Sequence, residues 1–207
     1  LNQNVETLIY DNFGLKLYNE PNFSINLNKR EIVILFDQVD QKVLFTSNSY
    51  IKNYKVFISS KKMSQFEQES RSDKNLLTGC LTFFNSEVEN LEIVIEGSHC
   101  EDAVNFINTK GSIKSINIDN SFQDSLDIDF SELSIDKISI NNAGNDCLDL
   151  SGSIIFLNEV NLFNCEDKAL SVGESTNAHI KKINISEAFI GTAIKDLSKV
   201  EIDLAEI

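Results

Sequence analysis

Residues 124–130 read DSLDIDF, residues 146–152 read DCLDLSG and residues 168–174 read KALSVGE. The three stretches lie 22 residues apart, so aligning them places Leu126, Leu148 and Leu170 in one column and Ile128, Leu150 and Val172 in another. Carried outward, the same step extends the first column to Val104 and Thr192 and the second to Phe106 and Ile194. Between them runs a polar column: Asn105, Asp127, Asp149, Ser171 and Ala193. Alternation of apolar, polar and apolar side chains is the signature of a strand, whose successive residues face opposite ways.

A second set repeats with the same step: Ile116, Ile138 and Val160, then Ile118, Ile140 and Leu162, with a third apolar position at Ile113, Ile135 and Leu157. One turn later it slips to Ile183 and Ile185, which places an extra residue between Glu174 and Ile180. Each unit thus carries at least two short strands, and neither can cover its apolar face alone. Piling identical units covers it, with neighbouring coils about 4.8 Å apart. From about Leu76 to the C-terminus the chain therefore reads as all-β, a right-handed parallel β-helix. A leucine-rich repeat, which Leu157, Val160, Leu162 and Cys165 would fit, needs a helical return path, whereas residues 126–130 alternate with period two. The column Ser98, Asn120, Asn142, Asn164, Ser186 reads as an internal asparagine ladder at a corner, since Asn tolerates left-handed backbone geometry.

Residues 1–75 are less regular and read as a β-rich N-terminal cap or irregular first coils, with strands over 31–36 and 54–58. The polar stretch 61–75 reads as an exposed loop. Residues 200–204 are still on pattern, so the solenoid is expected to continue past Ile207 or to pack on a partner there. The chain opens on Leu1, read here as the start of a mature or excised fragment.

Eighteen basic residues against 32 acidic ones give a net charge of −14, which disfavours nucleic acids and anionic membranes as partners. No apolar run approaches bilayer-spanning length. The four cysteines show no metal-binding spacing. Cys80 falls in the column of Asp102, and Cys100 lies two positions before it, so the pair comes near disulfide range. Cys147 and Cys165 also sit on or near adjacent coils. Disulfides and buried free thiols both fit.

The outward row of the first strand is where chemistry is expected. Asp127 and Asp129 project from one strand about 6.6 Å apart, and Asp149 sits about 4.8 Å above Asp127. Carboxylates this close raise one another's pKa, bind a cation or draw in a basic group. Calcium, which accepts several oxygens in loose geometry, is the cation expected on Asp127, Asp129 and Asp149. A neighbouring column holds Asp102, Asp124, Asp146 and Lys168. Lys195 and Glu174 reach the same strip from later coils. Asp127, Asp149, Lys168 and Lys195 are the candidate acid/base residues, and Asp124, Asp146 and Glu174 the candidate substrate contacts.

Residues 145–150 (NDCLDL) and 167–173 (DKALSVG) resemble successive coils of polygalacturonase-type glycoside hydrolases within the pectin-lyase-like class, and residues 124–127 (DSLD) sit where that family has its N-T-D-G segment. The resemblance implies that Asp124 and Asp146 stand at acid/base positions. Three departures accompany it: Asn145 replaces one of the paired aspartates, Lys168 stands at the histidine position, and no Arg-x-Lys motif follows. Residues 124–129, 167–174 and 190–196 also resemble uncharacterised bacterial right-handed β-helix proteins, some of them joined to CotH kinase-like domains. Together these features give a leading expectation of a carbohydrate-interacting module, extracellular or envelope-associated, calcium-assisted and not a vigorous catalyst. The alternatives are a polysaccharide lyase or glycoside hydrolase using the Asp/Lys strip, and a structural or adhesive solenoid within a larger polypeptide.

Overall fold

The computed structural model describes residues 4–60 and 76–207. Its strands are, in chain order, β1 (Val5–Ile9), β2 (Gly14–Tyr18), β3 (Asn22–Asn26), β4 (Glu31–Phe36), β5 (Lys42–Phe45), β6 (Tyr50–Lys52), β7 (Lys55–Ser60), β8 (Gly79–Phe84), β9 (Glu87–Glu96), β10 (Asp102–Ile107), β11 (Lys110–Ser121), β12 (Asp124–Asp129), β13 (Glu132–Ala143), β14 (Leu148–Ser151), β15 (Ile154–Gly173), β16 (Asn177–Ile194) and β17 (Lys199–Glu206). No helix occurs among the described residues, so none is long and apolar enough to cross a membrane.

The strands stack as about seven parallel coils roughly 22 residues apart. One sheet runs β5, β8, β10, β12, β14 and the end of β15, with Leu126 on Leu148 and Leu148 on Leu170. The other runs β9, β11, β13, β15, β16 and β17. In β13 the buried residues are Leu133, Ile135, Ile138, Ile140 and Ala143. The spacing of three between Ile135 and Ile138 marks where the strand turns a corner, so one long strand forms two sides of the coil, and the spacing of three from Ile140 to Ala143 spans the next corner, at left-handed Asn142. At the N-terminal end, β1–β2 and β3–β4 pair antiparallel, while β4 already lies parallel to β7 and β5 to β8. The stretch 61–75, read as a loop, lies outside the described residues.

The register slip falls where the spacing places it. One residue, Gly152, separates Ser151 from the inward Ser153, whereas two, Glu174 and Ser175, separate Gly173 from Thr176, both with positive φ. The asparagine column does form a left-handed corner, with φ of 61°, 61° and 54° at Asn120, Asn142 and Asn164, and Asn164 Nδ2 donates to Asn142 Oδ1 at 2.9 Å. It is not internal, however. Asn120 and Asn164 are exposed, because a residue in the left-handed conformation at this corner carries its side chain outward. The interior ladder stands at the opposite corner and is made of hydroxyls. The Thr109, Ser131 and Ser153 amides donate to Ser131 Oγ, Ser153 Oγ and Thr176 Oγ1, at 2.9, 2.9 and 3.1 Å. Each hydroxyl can in turn donate to a carbonyl, as Ser131 Oγ does to the Asp129 carbonyl at 2.8 Å. These bonds satisfy backbone groups that would otherwise be orphaned where the strands end.

A single apolar core runs through the coils from Phe13 to Ile185. Its densest part is a stack of rings: Phe45 on Phe83 at 4.6 Å between centroids, and Phe83 on Phe106 at 4.7 Å. Phe83 has no exposed surface and is held from both sides. Phe83→Ala is expected to cost about 3–5 kcal/mol in urea-unfolding free energy. Phe163→Ala, at a site 40% exposed, should cost far less, about 1 kcal/mol or under, measured in the same way.

Candidate functional site

The first sheet presents three outward columns. The central one runs Thr82, Asn105, Asp127, Asp149 and Ser171, paired residue on residue. On the chain-entry side stand Asp102, Asp124, Asp146 and Lys168, and on the exit side Asp129, Ser151 and Gly173. Short side chains in the middle column sink between these flanks, so Thr82, Asn105 and Ser171 are buried although they point away from the core.

The entry column is built of caps. Asp124 Oδ1 accepts the Asp146 amide at 2.8 Å and Asn145 Nδ2 at 2.6 Å. One coil on, Asp146 Oδ1 accepts the Lys168 amide at 3.0 Å and Lys168 Nζ at 3.2 Å, while the same ammonium also pairs with Asp167. The Lys168 charge is thereby stabilised and its pKa raised, chiefly by Asp167 and then by Asp146. Disulfides fix these turns: Cys147–Cys165, with Cα atoms 5.5 Å apart, joins the backbone beside Asp146 to that beside Lys168. Cys80–Cys100, at 5.3 Å, does the same on the coils leading to Asp102. There is no free cysteine among the described residues, which settles the choice left open by the spacing.

The central row is electrostatically frustrated. Burial, aided by the Asp102, Asp129, Asp149 and Asp124 charges, pushes Asp127 up to about 9. Asp102 rises to about 7 by burial, with the Asp124 and Glu101 charges adding to it and the Thr78 and Asn105 donors opposing it. Asp124 rises to about 6 by burial, against the donors of Asp146 and Asn145. Asp129 also reaches about 6 by burial, reinforced by Asp149 and Glu174. Asp149 is raised by burial, with Ser171 and Lys195 pulling the other way. Asn105 lies at the centre: its Nδ2 donates to Asp102 Oδ2 at 3.2 Å and to Asp127 Oδ2 at 3.4 Å. Thr82 Oγ1, Asn105 Oδ1 and Asp149 Oδ1, all withdrawn from solvent, have no hydrogen-bond partner. Orphaned oxygens in one row beside carboxyls are a demand for protons or for a cation.

The structure thus gathers Asp124, Asp127, Asp129 and Asp149 on one face, with Asp146 and Lys168 paired at its edge. Lys195 folds across Gly173, its Cε 3.1 Å from where a Cβ would stand, and reaches Asp149 only through its field. Glu174 is exposed at the rim and acts on Asp129. Asp102 and Asn105, placed in these columns by the repeat but not singled out as site residues, prove central. Period-two alternation points Asn105 outward and gives no hint that its neighbours bury it, while Asp102, two residues before the inward Val104, stands outside that alternation. Asp127, Asp129 and Asp149 do not bring their oxygens within 4.8 Å of one another as they stand, so closing them on calcium requires side-chain rotation. Among the described residues the sets that do gather so closely are Cys80, His99 and Cys100, where the sulfurs are bonded together, and the surface group His179, Glu201 and Asp203. A surface groove of about 720 Å³ lies around the corner from the acid row, against Tyr50, Asn108 and Phe130.

Compared with protein-family models, curated proteins and solved structures, the chain matches none.

A carboxyl with a folded pKa above its unfolded value binds more protons when folded, so its favourable contribution is present at low pH and lost as pH rises through the folded value. The acid row should make the chain less stable as pH climbs from about 5 to about 9. A melting temperature about 5 °C or more higher at pH 5.5 than at pH 8.5 is expected. Asp127→Asn should raise the pH 8.5 value and flatten the slope, whereas exposed Asp136→Asn should leave the slope in place.

Proposed function

We propose that this chain is a carbohydrate-interacting β-helix module acting outside the cytosol, whose acid row is neutralised by protons or by calcium, and that it is not itself a vigorous catalyst. The observation that carries the reading is the row itself. Asp127 and Asp149, with Asp129 and Ser151 beside them, stand part-exposed one coil apart along the sheet, offering periodic hydrogen-bonding groups to an extended polymer. The similarity of residues 124–127, 145–150 and 167–173 to coils of polygalacturonase-type hydrolases favours a sugar over other polymers. The two disulfides favour an oxidising compartment. The degenerate character rests on Asn145: it is an amide where the hydrolases have a carboxyl, and it donates to Asp124 rather than handling a proton for a substrate.

Calcium fits the donor chemistry, since Asp127 and Asp149 supply carboxylate oxygens and Asn105 an orphaned amide oxygen. Because calcium competes with protons for these groups, it should stabilise the chain at pH 8 and do little at pH 5. The expected result is a rise of several degrees in melting temperature with millimolar calcium at pH 8, abolished in Asp127→Asn/Asp149→Asn. A shift that persists in the double variant places the cation elsewhere.

One observation favours a second reading, a lyase or hydrolase. Asp127 is held protonated at neutral pH beside carboxyls that titrate lower, the arrangement of a general acid with ionised neighbours. Incubation with neutral and uronate polysaccharides, followed by reducing-end and ultraviolet assays, separates the readings. Cleavage abolished by Asp127→Asn supports the enzyme. Binding on a glycan array without cleavage supports the module, and neither leaves a structural or adhesive solenoid.

A further inference from the structure

The corner that follows the first sheet requires a left-handed residue in each coil. Asn85, Asn108, Phe130 and Gly152 occupy it in succession, at φ of 46°, 47°, 48° and 62°. Asparagine and glycine accept this conformation readily, and phenylalanine does not, because its Cβ crowds the backbone. The side chain gains little from the fold in return. Phe130 is 59% exposed, and its ring lies flat across the next coil at the one corner without a side chain, where a Cβ on Gly152 would meet Phe130 Cδ1 at 2.5 Å. A strained, solvent-facing aromatic ring in a column otherwise suited to small polar residues points to use rather than to packing.

The ring forms one wall of the 720 Å³ groove, which is also lined by Tyr50, Asn85, Asn108, Glu132 and Ile154. The groove runs along the solenoid axis across the coils from Tyr50 to Ile154, joined through Glu87, Lys110 and Glu132, a length of about 19 Å. Asn108 Nδ2 donates to Asn85 Oδ1 at 2.7 Å, so the two amides are held side by side on the two coils before Phe130, with capacity for further partners. The one lysine in the lining, Lys110, is matched by Glu87 at 3.7 Å and lies between Glu87 and Glu132, which leaves no positive surplus for an anionic ligand.

We propose that this groove is a binding site for a neutral glycan, in which one pyranose lays its C–H face on Phe130 while sugars further along the groove exchange hydrogen bonds with Asn108 and Asn85. The inference rests on the carbohydrate-binding reading and deepens it, moving recognition from the acid row to the adjacent corner. An aromatic face and paired amides are what a chain of sugar rings, each apolar above and below and polar at its rim, requires.

The test uses the whole chain with neutral hexasaccharides of the cello-, xylo-, manno- and galacto- series, and chitohexaose, read by saturation-transfer NMR and titration calorimetry. Phe130→Asn installs the residue that the two preceding coils use, so it relaxes the backbone and removes the platform. It should weaken binding at least about tenfold while the melting temperature holds or rises, and Phe130→Tyr should retain binding. Unchanged affinity in Phe130→Asn together with loss in Asp127→Asn returns the site to the acid row and overturns this inference, leaving the module reading intact. Binding confined to uronate oligosaccharides overturns the neutral class, and absence of binding to any glycan overturns both.

Discussion

The constraint on which everything here depends is that a residue's nearest neighbours across the sheet are the residues one coil before and one coil after it. Backbone hydrogen bonding between parallel strands enforces this for every position at once, so a column cannot be adjusted without moving all the others. Where the column faces inward and is apolar, repetition is favourable, as in the Phe45, Phe83 and Phe106 stack. Where it faces inward and is polar, repetition is favourable only if donors and acceptors alternate, which the Ser131, Ser153 and Thr176 hydroxyls manage by accepting an amide and donating to a carbonyl.

Acidic columns are the case in which repetition is costly. Asp127 beneath Asp149, flanked by Asp129 and Asp124, is an arrangement that folding alone disfavours at neutral pH. The same geometry places the remedy nearby: Lys168 answers Asp146 directly, and Lys195 acts on Asp149 from across Gly173. Of the carboxyls left over, Asp124 is held by the Asp146 amide, and the two disulfides tie together the turns near Asp102 and Asp146.

The repeat made most of the architecture legible. The columns through Leu126, Leu148 and Leu170, the second set through Ile116, Ile138 and Val160, and the additional residue after Gly173 all follow from spacing, because in-register stacking converts sequence distance directly into spatial adjacency. Spacing does not tell on which side of the wall a corner residue points. The asparagines at 120, 142 and 164 lie outside and the serines at 131 and 153 inside, because at the first corner the asparagines are themselves the left-handed residues, whereas at the second the serines follow left-handed Phe130 and Gly152. Nor does spacing report burial: Asn105 alternates as a surface residue should, yet it is covered, because its short side chain sits between two flanking columns. His99, a lone histidine in sequence, is enclosed against the Phe36 ring and held by the Gln41 carbonyl, so burial lowers its pKa to about 4. That contact joins residues 58 apart, which no local period encodes.

The corner after the first sheet exists in two widths. Four coils cross it with the single residues Asn85, Asn108, Phe130 and Gly152, while the later ones cross it with the pairs Glu174-Ser175 and Asp196-Leu197, all in left-handed geometry. Both widths deliver the chain to the same inward position, occupied by Ser153 in one case and Thr176 in the other. Length is therefore negotiable at this edge, as it also is at the bulges where β11 pairs β9 and β15 pairs β16. In a lineage that grows by duplicating and trimming coils, such a joint lets extra residues accumulate on the rim of the groove, so the rim can diversify what it grips while every rung behind it stays where it was.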